Sequence, residues 1–518
     1  MLSLRWKPRV RLSKAEERVV GRMKRTGRLF AFLRKCRHLL FSDDFQAELE
    51  VLYPGSPRGA PKPPAFLAMV TLLQAYEQKG DAAAVEAAVF DGRWRMVLAL
   101  PNDGEPGFSQ GALVDFRRRL IEHDLDRRLV ERTVELARET GGFGYKQLQV
   151  ALDSAPLWGA GRVEDTFNLV AHAARLVITC ASKALGLTDG TVRERARLTL
   201  FGSNSVKAEL DIDWADKQEQ AHALARLLSE IGRLRAWLDV ALPADGRTKP
   251  LVAALQTLEQ VISQDIEPDP GGGHRIKRGT STQRRISIRD GDMRHGRKSK
   301  SRVINGFKRH VAVDMKSGLI LATSVRPANE REHVAMDEEI CKVLDASGEI
   351  EELHIDRGYL PGKWAKELHE KGKRVVSKHW ITSCGGRFSK NDFDIDLERG
   401  EVRCPGGKTA PIRKDNKAQF SRGDCGPCEL RQQCTKAAYR SVQLHEQEEL
   451  LQRFKVELRT PEGRAERRKR VIVEHVLAHV TRRQGPRARY IGLRKNLFDI
   501  RRVAAIENLN RIEHRQAA

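Results

Sequence analysis

Two carboxylates and four thiols in this chain of 518 residues have the type and spacing that chemistry needs. The first carboxylate lies in Glu351-Glu352-Leu353-His354-Ile355-Asp356-Arg357-Gly358-Tyr359. Leu353 and Ile355 alternate, as on one face of a short strand. The strand runs into Asp356, and Gly358 breaks it. Leu148-Gln149-Val150-Ala151-Leu152-Asp153-Ser154 has the same character and also ends in Asp. An acid at the carboxyl end of a strand, before a sharp turn, is where open α/β sheets bind ligands. It is also ordinary turn chemistry, and for either stretch alone the two readings weigh equally. Two such stretches favour the first, because carboxylates on neighbouring strand ends are what a divalent cation requires.

The thiols are Cys404, Cys425, Cys428 and Cys434, spaced C-x20-C-x2-C-x5-C. Gly426-Pro427 between two of them is similar to a zinc-knuckle turn, and four thiolates suit a tetrahedral structural Zn²⁺. Cys384 or His379 could replace a member. Four reduced thiols in a basic loop is the competing reading. Cys36, Cys180 and Cys341 lie in apolar helical surroundings and read as buried filler.

The elements that must position these groups follow from periodicity. A Pro/Gly-rich stretch at residues 54–61 precedes a helical region. Pro63 and Pro64 suit a first turn; Phe66, Met69, Val70, Leu73 and Tyr76 then recur at helical steps. Helices over about 81–99 and 109–140 follow. The last of these carries Leu113, Phe116 and Leu120 on one stripe beside Arg117, Arg118 and Arg119. An Arg-rich helix in a small helical module is a DNA-binding candidate, with Arg117 and Arg118 as contacts; a structural bundle with a charged outer face is the equal alternative. A strand is expected at about 147–153. Ala/Leu-rich helical stretches fill the next 130 residues or so. A hairpin then spans Ile304–Asp314 and Leu319–Val325, with its turn at Lys316-Ser317-Gly318. A helix near 331–346 leads to the Asp356 strand. A helix (about 362–371), a short strand (374–377), an irregular stretch (about 380–440) and a last large helix near 463–483 complete the order. Arg470 and Glu474 share one face of that helix. Alternation of strand, hairpin, helix, strand, helix and strand makes an α/β layer on a mixed sheet.

Lys and Arg number 93 against 69 Asp and Glu, a net charge of +24. The excess is concentrated. His274–His310 holds 13 basic residues against 2 acidic ones, and Arg459–Arg502 holds 14 against 4. Such a footprint points to a polyanion, and nucleic acid first; solvated basic helix faces are the alternative. In the first segment Arg297, Lys298, Lys300 and Lys308 are the candidate contacts. No window of about 20 residues is apolar enough to span a membrane, and Met1–Lys7 lacks the apolar run of a signal peptide. A cytoplasmic protein with free or metal-bound cysteines is therefore expected.

With these residues in view, the chain resembles bacterial insertion-sequence transposases of the DDE type. The likeness rests on Leu152-Asp153-Ser154, on Gly306–Asp314 through Ser317–Ile320 with Pro327-Ala328-Asn329, and on His354–Tyr359. The Phe116-Arg117 helix is similar to the DNA-binding region that precedes the core in such enzymes. The family's third acid lies on a late helix in the pattern Tyr-x2-Arg-x3-Glu-x6-Lys. Arg470-x3-Glu474 matches its centre, but Arg467 stands at the Tyr position and Thr481 at the Lys position. Glu466 and Glu507 are weaker rivals, lacking the Arg four residues before.

The resemblance implies an α/β fold with a ribonuclease-H-like mixed-sheet core (145–158 and 300–380). Around it would lie an N-terminal helical, DNA-binding domain (1–140), a helical insertion (159–290), a cysteine-containing insertion (381–445) and a C-terminal helical part carrying the third acid (446–518). It implies that Asp153, Asp356 and Glu474 hold Mg²⁺ or Mn²⁺, with Arg470 and Lys308 near phosphates; for Arg470 the competing reading is a helix-surface ion pair with Glu474, which would make Glu474 structural. The activity implied is cutting at element ends and joining them to target DNA, by a homo-oligomer assembled on double-stranded DNA at the nucleoid. A metal-dependent nuclease without strand transfer, or a non-catalytic DNA-binding protein of the same fold, are the alternatives.

Overall fold

A computed structural model describes residues 4–54, 62–101, 103–143, 147–297, 302–378 and 385–516. Its centre is a mixed sheet. Strand β1 is Gln147–Trp158; β2 (Ile266–Pro268) and β3 (His274–Ile276) form a small separate hairpin. Strands β4 (Arg294–Arg297), β5 (Val303–Asp314), β6 (Ile320–Pro327), β7 (Glu349–His354) and β8 (Arg374–Val376) complete the sheet. Its order is β4-β5-β1-β7-β8, with β6 also on β5. The β4, β5, β6 and β1 pairings are antiparallel, and those of β1, β7 and β8 are parallel. Leu148, Val150, Leu152, Val311, Val313 and Leu353 are buried, as a sheet covered on both faces requires.

Two differences from the sequence expectation bear on the site. First, β1 does not stop at Asp153 but continues to Trp158 along β5, so Asp153 is mid-strand. Pro156 and its polar neighbours obscured the continuation. Pairing with β7 ends at Ala151, so Pro156 lies where β1 is paired on one side only, which a proline tolerates. Second, the helix expected over 463–483 is broken into Pro461–Arg468 and Val471–Gln484, and it is not the last large element. Arg470 is the N-cap residue of the second piece. Helix Leu493–Gln516 follows, with Phe498, Ile500, Val503 and Leu509 buried.

That terminal helix fastens the sheet to the N-terminal helices, which share one apolar cluster with it. The Asn508 side chain accepts from Ile320 N at 2.7 Å and donates to Ile320 O at 2.8 Å and to Thr133 Oγ1 at 2.9 Å. Asp126, fully buried on helix Asp126–Glu139, meets Arg501 Nη1 at 3.0 Å and both terminal nitrogens of Arg494. Helices Thr166–Leu185, Lys217–Ala241 and Lys249–Asp265 instead pack on a cluster of their own, with Leu169, Leu227 and Leu258 at its centre. The stretch read as irregular is a small β module of three-residue strands, β9 (Asp394–Asp396), β10 (Glu401–Arg403), β11 (Thr409–Pro411), β12 (Lys417–Gln419) and β13 (Ser441–Gln443). Such strands are too short to show alternation in a sequence. Phe393, Val402, Phe420 and Val442 form its core.

Replacing Asp126 by Ala removes the buried carboxylate that Arg494 and Arg501 share and leaves both to Asp124 alone, so unfolding free energy should fall by up to about 3 kcal/mol. Asp126→Asn, which still accepts hydrogen bonds, should cost less. Denaturant titration of both variants checks this.

Candidate active site

Register brings the first two acids together. Ala151 pairs with His354 in the parallel β1–β7 ladder. Asp153 lies two residues beyond Ala151 on β1 and Asp356 two residues beyond the end of β7, close enough for the Asp356 charge to act on Asp153. Glu474 comes from the first turn of helix Val471–Gln484, where the helix dipole favours an acid. Asp356, Glu474, Arg467, Arg468, Arg470 and Lys378 line one cleft of about 160 Å³.

Arg470 ties the acids to one another. Its Nη2 lies 2.8 Å from Asp153 Oδ1 and donates to Leu152 O at 3.2 Å; Nη1 donates to Glu474 Oε1 at 3.2 Å. Burial pushes the Asp153 carboxyl above the ordinary range against the pull of Arg470, and the charges of Asp356 and Glu474 push the same way. Asp153 and Glu474 therefore share one guanidinium, and Asp356 lines the cleft with Glu474. An all-oxygen donor set carrying surplus negative charge fits a hard divalent cation such as Mg²⁺ or Mn²⁺.

Beneath the acids runs a polar chain that sequence reasoning missed. Ser154 Oγ donates to Glu332 Oε1 at 2.6 Å, and the buried Tyr359 hydroxyl is hydrogen-bonded to His310 Nδ1 at 2.7 Å and touches Ser154. Burial holds the His310 imidazole down at about 3 and raises the Tyr359 phenol, so both are neutral. Gly358 leaves room for Glu332: a Cβ there would overlap Glu332 Oε2 and push that carboxylate from its place. Tyr359 stood in the recognised stretch, but nothing in the pattern around Glu332 marked it.

The rival acids lie elsewhere. Glu507 pairs with Arg483 at 2.7 Å. Glu466 joins Glu352 and His354 in a group whose ligand atoms all lie within 4.8 Å of one another, the one such group among the described residues. Lys469 at 2.7 Å and Arg374 at 3.9 Å from Glu466, with Arg374 also 3.4 Å from Glu352, balance its two negative charges. An ion-pair network clasping helix Pro461–Arg468 to β7 and β8 accounts for it.

The expected DNA contacts are placed less simply. Arg117 donates both terminal nitrogens to Asp81 at 2.6 Å and is mostly buried, so its charge is neutralised inside the helical region. Arg118 is exposed but pairs with Asp115 and Glu122. The sequence displays such a helix's charge, not its partner 36 residues earlier. Lys308 is half-buried with its ammonium on Glu330 O at 2.8 Å, and burial lowers its pKa. Arg297 is exposed at the end of β4; Lys298 and Lys300 lie outside the described residues. Arg467, Arg468 and Lys378, named for no contact from the sequence, stand in the cleft itself.

Cys404, Cys425, Cys428 and Cys434 line one small cavity, and Arg440 N donates to Cys425 Sγ at 3.5 Å. Burial raises the Cys434 thiol, and the other three sulfurs add to the rise. The four sulfurs do not close to the mutual spacing of the Glu352 group. His379 and Cys384 lie outside the described residues. Cys36 is buried, while Cys180 and Cys341 are half-buried against the apolar clusters.

Residues 403–513 match the family model described as a transposase DDE domain. That part of the chain is similar to DDE-type transposases. The transposase match takes in Arg470, Glu474 and the four cysteines, while Asp153 and Asp356 lie before it. No curated protein and no solved structure matches the chain. No single helix among the described residues is long and apolar enough to cross a membrane.

A carboxyl raised in the folded state is stabilising while protonated, and that contribution is lost as pH rises through its folded pKa. In metal-free buffer the parent should therefore lose melting temperature, relative to Asp153→Asn, as pH rises from below 3.8 to 7. Melting curves of both proteins across that range check the sign.

Proposed function

We propose that the chain is a DNA transposase, cutting at the ends of an insertion sequence and joining them to target DNA. Asp356 and Glu474 on one basic-walled cleft, with Asp153 near enough to feel both charges and joined to Glu474 through Arg470, carry this reading. The family match over residues 403–513, which include Glu474, supports a transposase reading independently. So does the sheet, in which the antiparallel strands β4, β5, β6 and β1 lead into the parallel β7 and β8 with acids at the junction. That order supports a ribonuclease-H-like core.

In this reading Asp153, Asp356 and Glu474 hold Mg²⁺ or Mn²⁺. A cation held by these residues would supply activation of an attacking water or 3′-hydroxyl and stabilisation of the leaving oxyanion. The chain's own residues supply position and charge. The β1–β7 register sets two of the carboxylates, and Arg470 fixes the third relative to them. Arg467, Arg468 and Lys378 give the backbone phosphates of double-stranded DNA a complementary wall. Neutral His310 and Tyr359 hold the floor without adding charge that would compete for the carboxylates.

Asp356→Asn keeps size and hydrogen bonding but removes a ligand charge. Metal-dependent cleavage of DNA ends should fall by about 10²-fold or more, while DNA affinity stays within about twofold. Parent-like cleavage by this variant would overturn the proposal. Appearance of joined products with the parent separates strand transfer from hydrolysis alone.

The cleft's cations should also show in salt dependence. Arg467→Ala with Arg468→Ala should flatten the slope of log affinity against log salt by up to about 1.8 on duplex DNA, about 0.9 for each phosphate no longer neutralised. A titration of binding between about 50 and 200 mM salt measures it.

A further inference from the structure

The guanidinium of Arg470 does more than join two acids. Its two terminal nitrogens fork between Asp153 Oδ1 at 2.8 Å and Glu474 Oε1 at 3.2 Å. A cation held by both carboxylates would need that same space. Arg cannot lose its proton to make way, so it has to move. Its seat is incomplete: Nε is buried without an acceptor, while the neighbouring helix break at Lys469–Arg470 leaves the residue on an N-cap rather than inside a helix. The cleft it would swing into is walled by Arg467 and Arg468 and is open to a polyanion.

We propose that Arg470 is a resident counter-ion that a divalent cation and a DNA phosphate displace together. Without DNA, the guanidinium neutralises Asp153 and Glu474 and competes with the cation for them. With DNA in the cleft, a backbone phosphate offers the guanidinium a new bidentate partner, and the carboxylates are released to the metal. DNA binding and metal binding are then positively coupled, and by linkage each strengthens the other by the same factor. Such coupling keeps the cutting site weakly charged with metal until its substrate is in place. This inference rests on the proposed role of the three acids.

Calorimetric titration of Mn²⁺ into the full-length protein tests it, alone and with a short duplex, the heat of Mn²⁺ with duplex alone being subtracted. The parent should bind Mn²⁺ several-fold more tightly in the presence of DNA. Arg470→Gln should bind it about tenfold more tightly than the parent without DNA, since a competing charge a few ångströms away is gone, and should show no further gain from DNA. Arg470→Lys keeps a charge but cannot span both carboxylates, so it should tighten binding by a smaller factor. If Arg470→Gln does not fold, tightening in Arg470→Lys supports the inference and its absence overturns it. Mn²⁺ binding lost in Asp356→Asn but unchanged in Arg470→Gln overturns the counter-ion role and leaves the proposed function standing. Mn²⁺ binding unaffected by Asp356→Asn overturns both.

Discussion

The parallel pairing of β1 with β7 is the constraint on which the rest of the site depends. Ala151 opposite His354 determines where the two strands end relative to one another. A one-residue slip would turn one acid to the other face of the sheet. The register is held from both sides: β5 pairs with β1 along nine positions, and β8 pairs with β7. Leu148, Val150, Leu152 and Leu353 make any slip costly, since it would carry buried side chains into the wrong layer.

Bringing carboxylates together creates a repulsion that the surroundings answer in graded steps. Arg470 neutralises part of it directly. The neutral pair of His310 and Tyr359 adds nothing to it. Neighbouring acids are kept on other partners, Glu466 on Lys469 and Arg374, Glu507 on Arg483. What remains is Asp356 and Glu474 on a cleft with cationic walls, with Asp153 joined to Glu474 through Arg470. That distribution suits a hard cation and a phosphate backbone at once.

The same pairing of charges explains why the chain's basicity is not all surface. Arg309 is fully buried, donating to Pro156 O, Gln484 Oε1 and Gly485 O. Arg284 is paired with Asp265, and Arg502 with Asp499. Guanidinium groups with several fixed donors can tie strands and helices together in ways an ammonium cannot. Within the two basic segments, Arg468 in the cleft and Arg297 at a strand end are among the cations that stay at the surface.

The sequence by itself determined the strands that carry Asp153 and Asp356, the hairpin between them and the Arg470–Glu474 pair, because period-two alternation and a four-residue helical step are local properties. It also marked the four cysteines that share a cavity in the β module. It could not determine that Asp153 sits mid-strand, because β1 beyond it is held by β5, far along the chain, rather than by its own pattern. Nor could it show that Arg117 is neutralised by Asp81, that Glu332 reaches Ser154, or that Arg470 stands between two acids. Each of those depends on which charge finds which partner across the fold. Charge is written in the chain residue by residue, but its compensation is a property of distance, and only the tertiary structure decides distance.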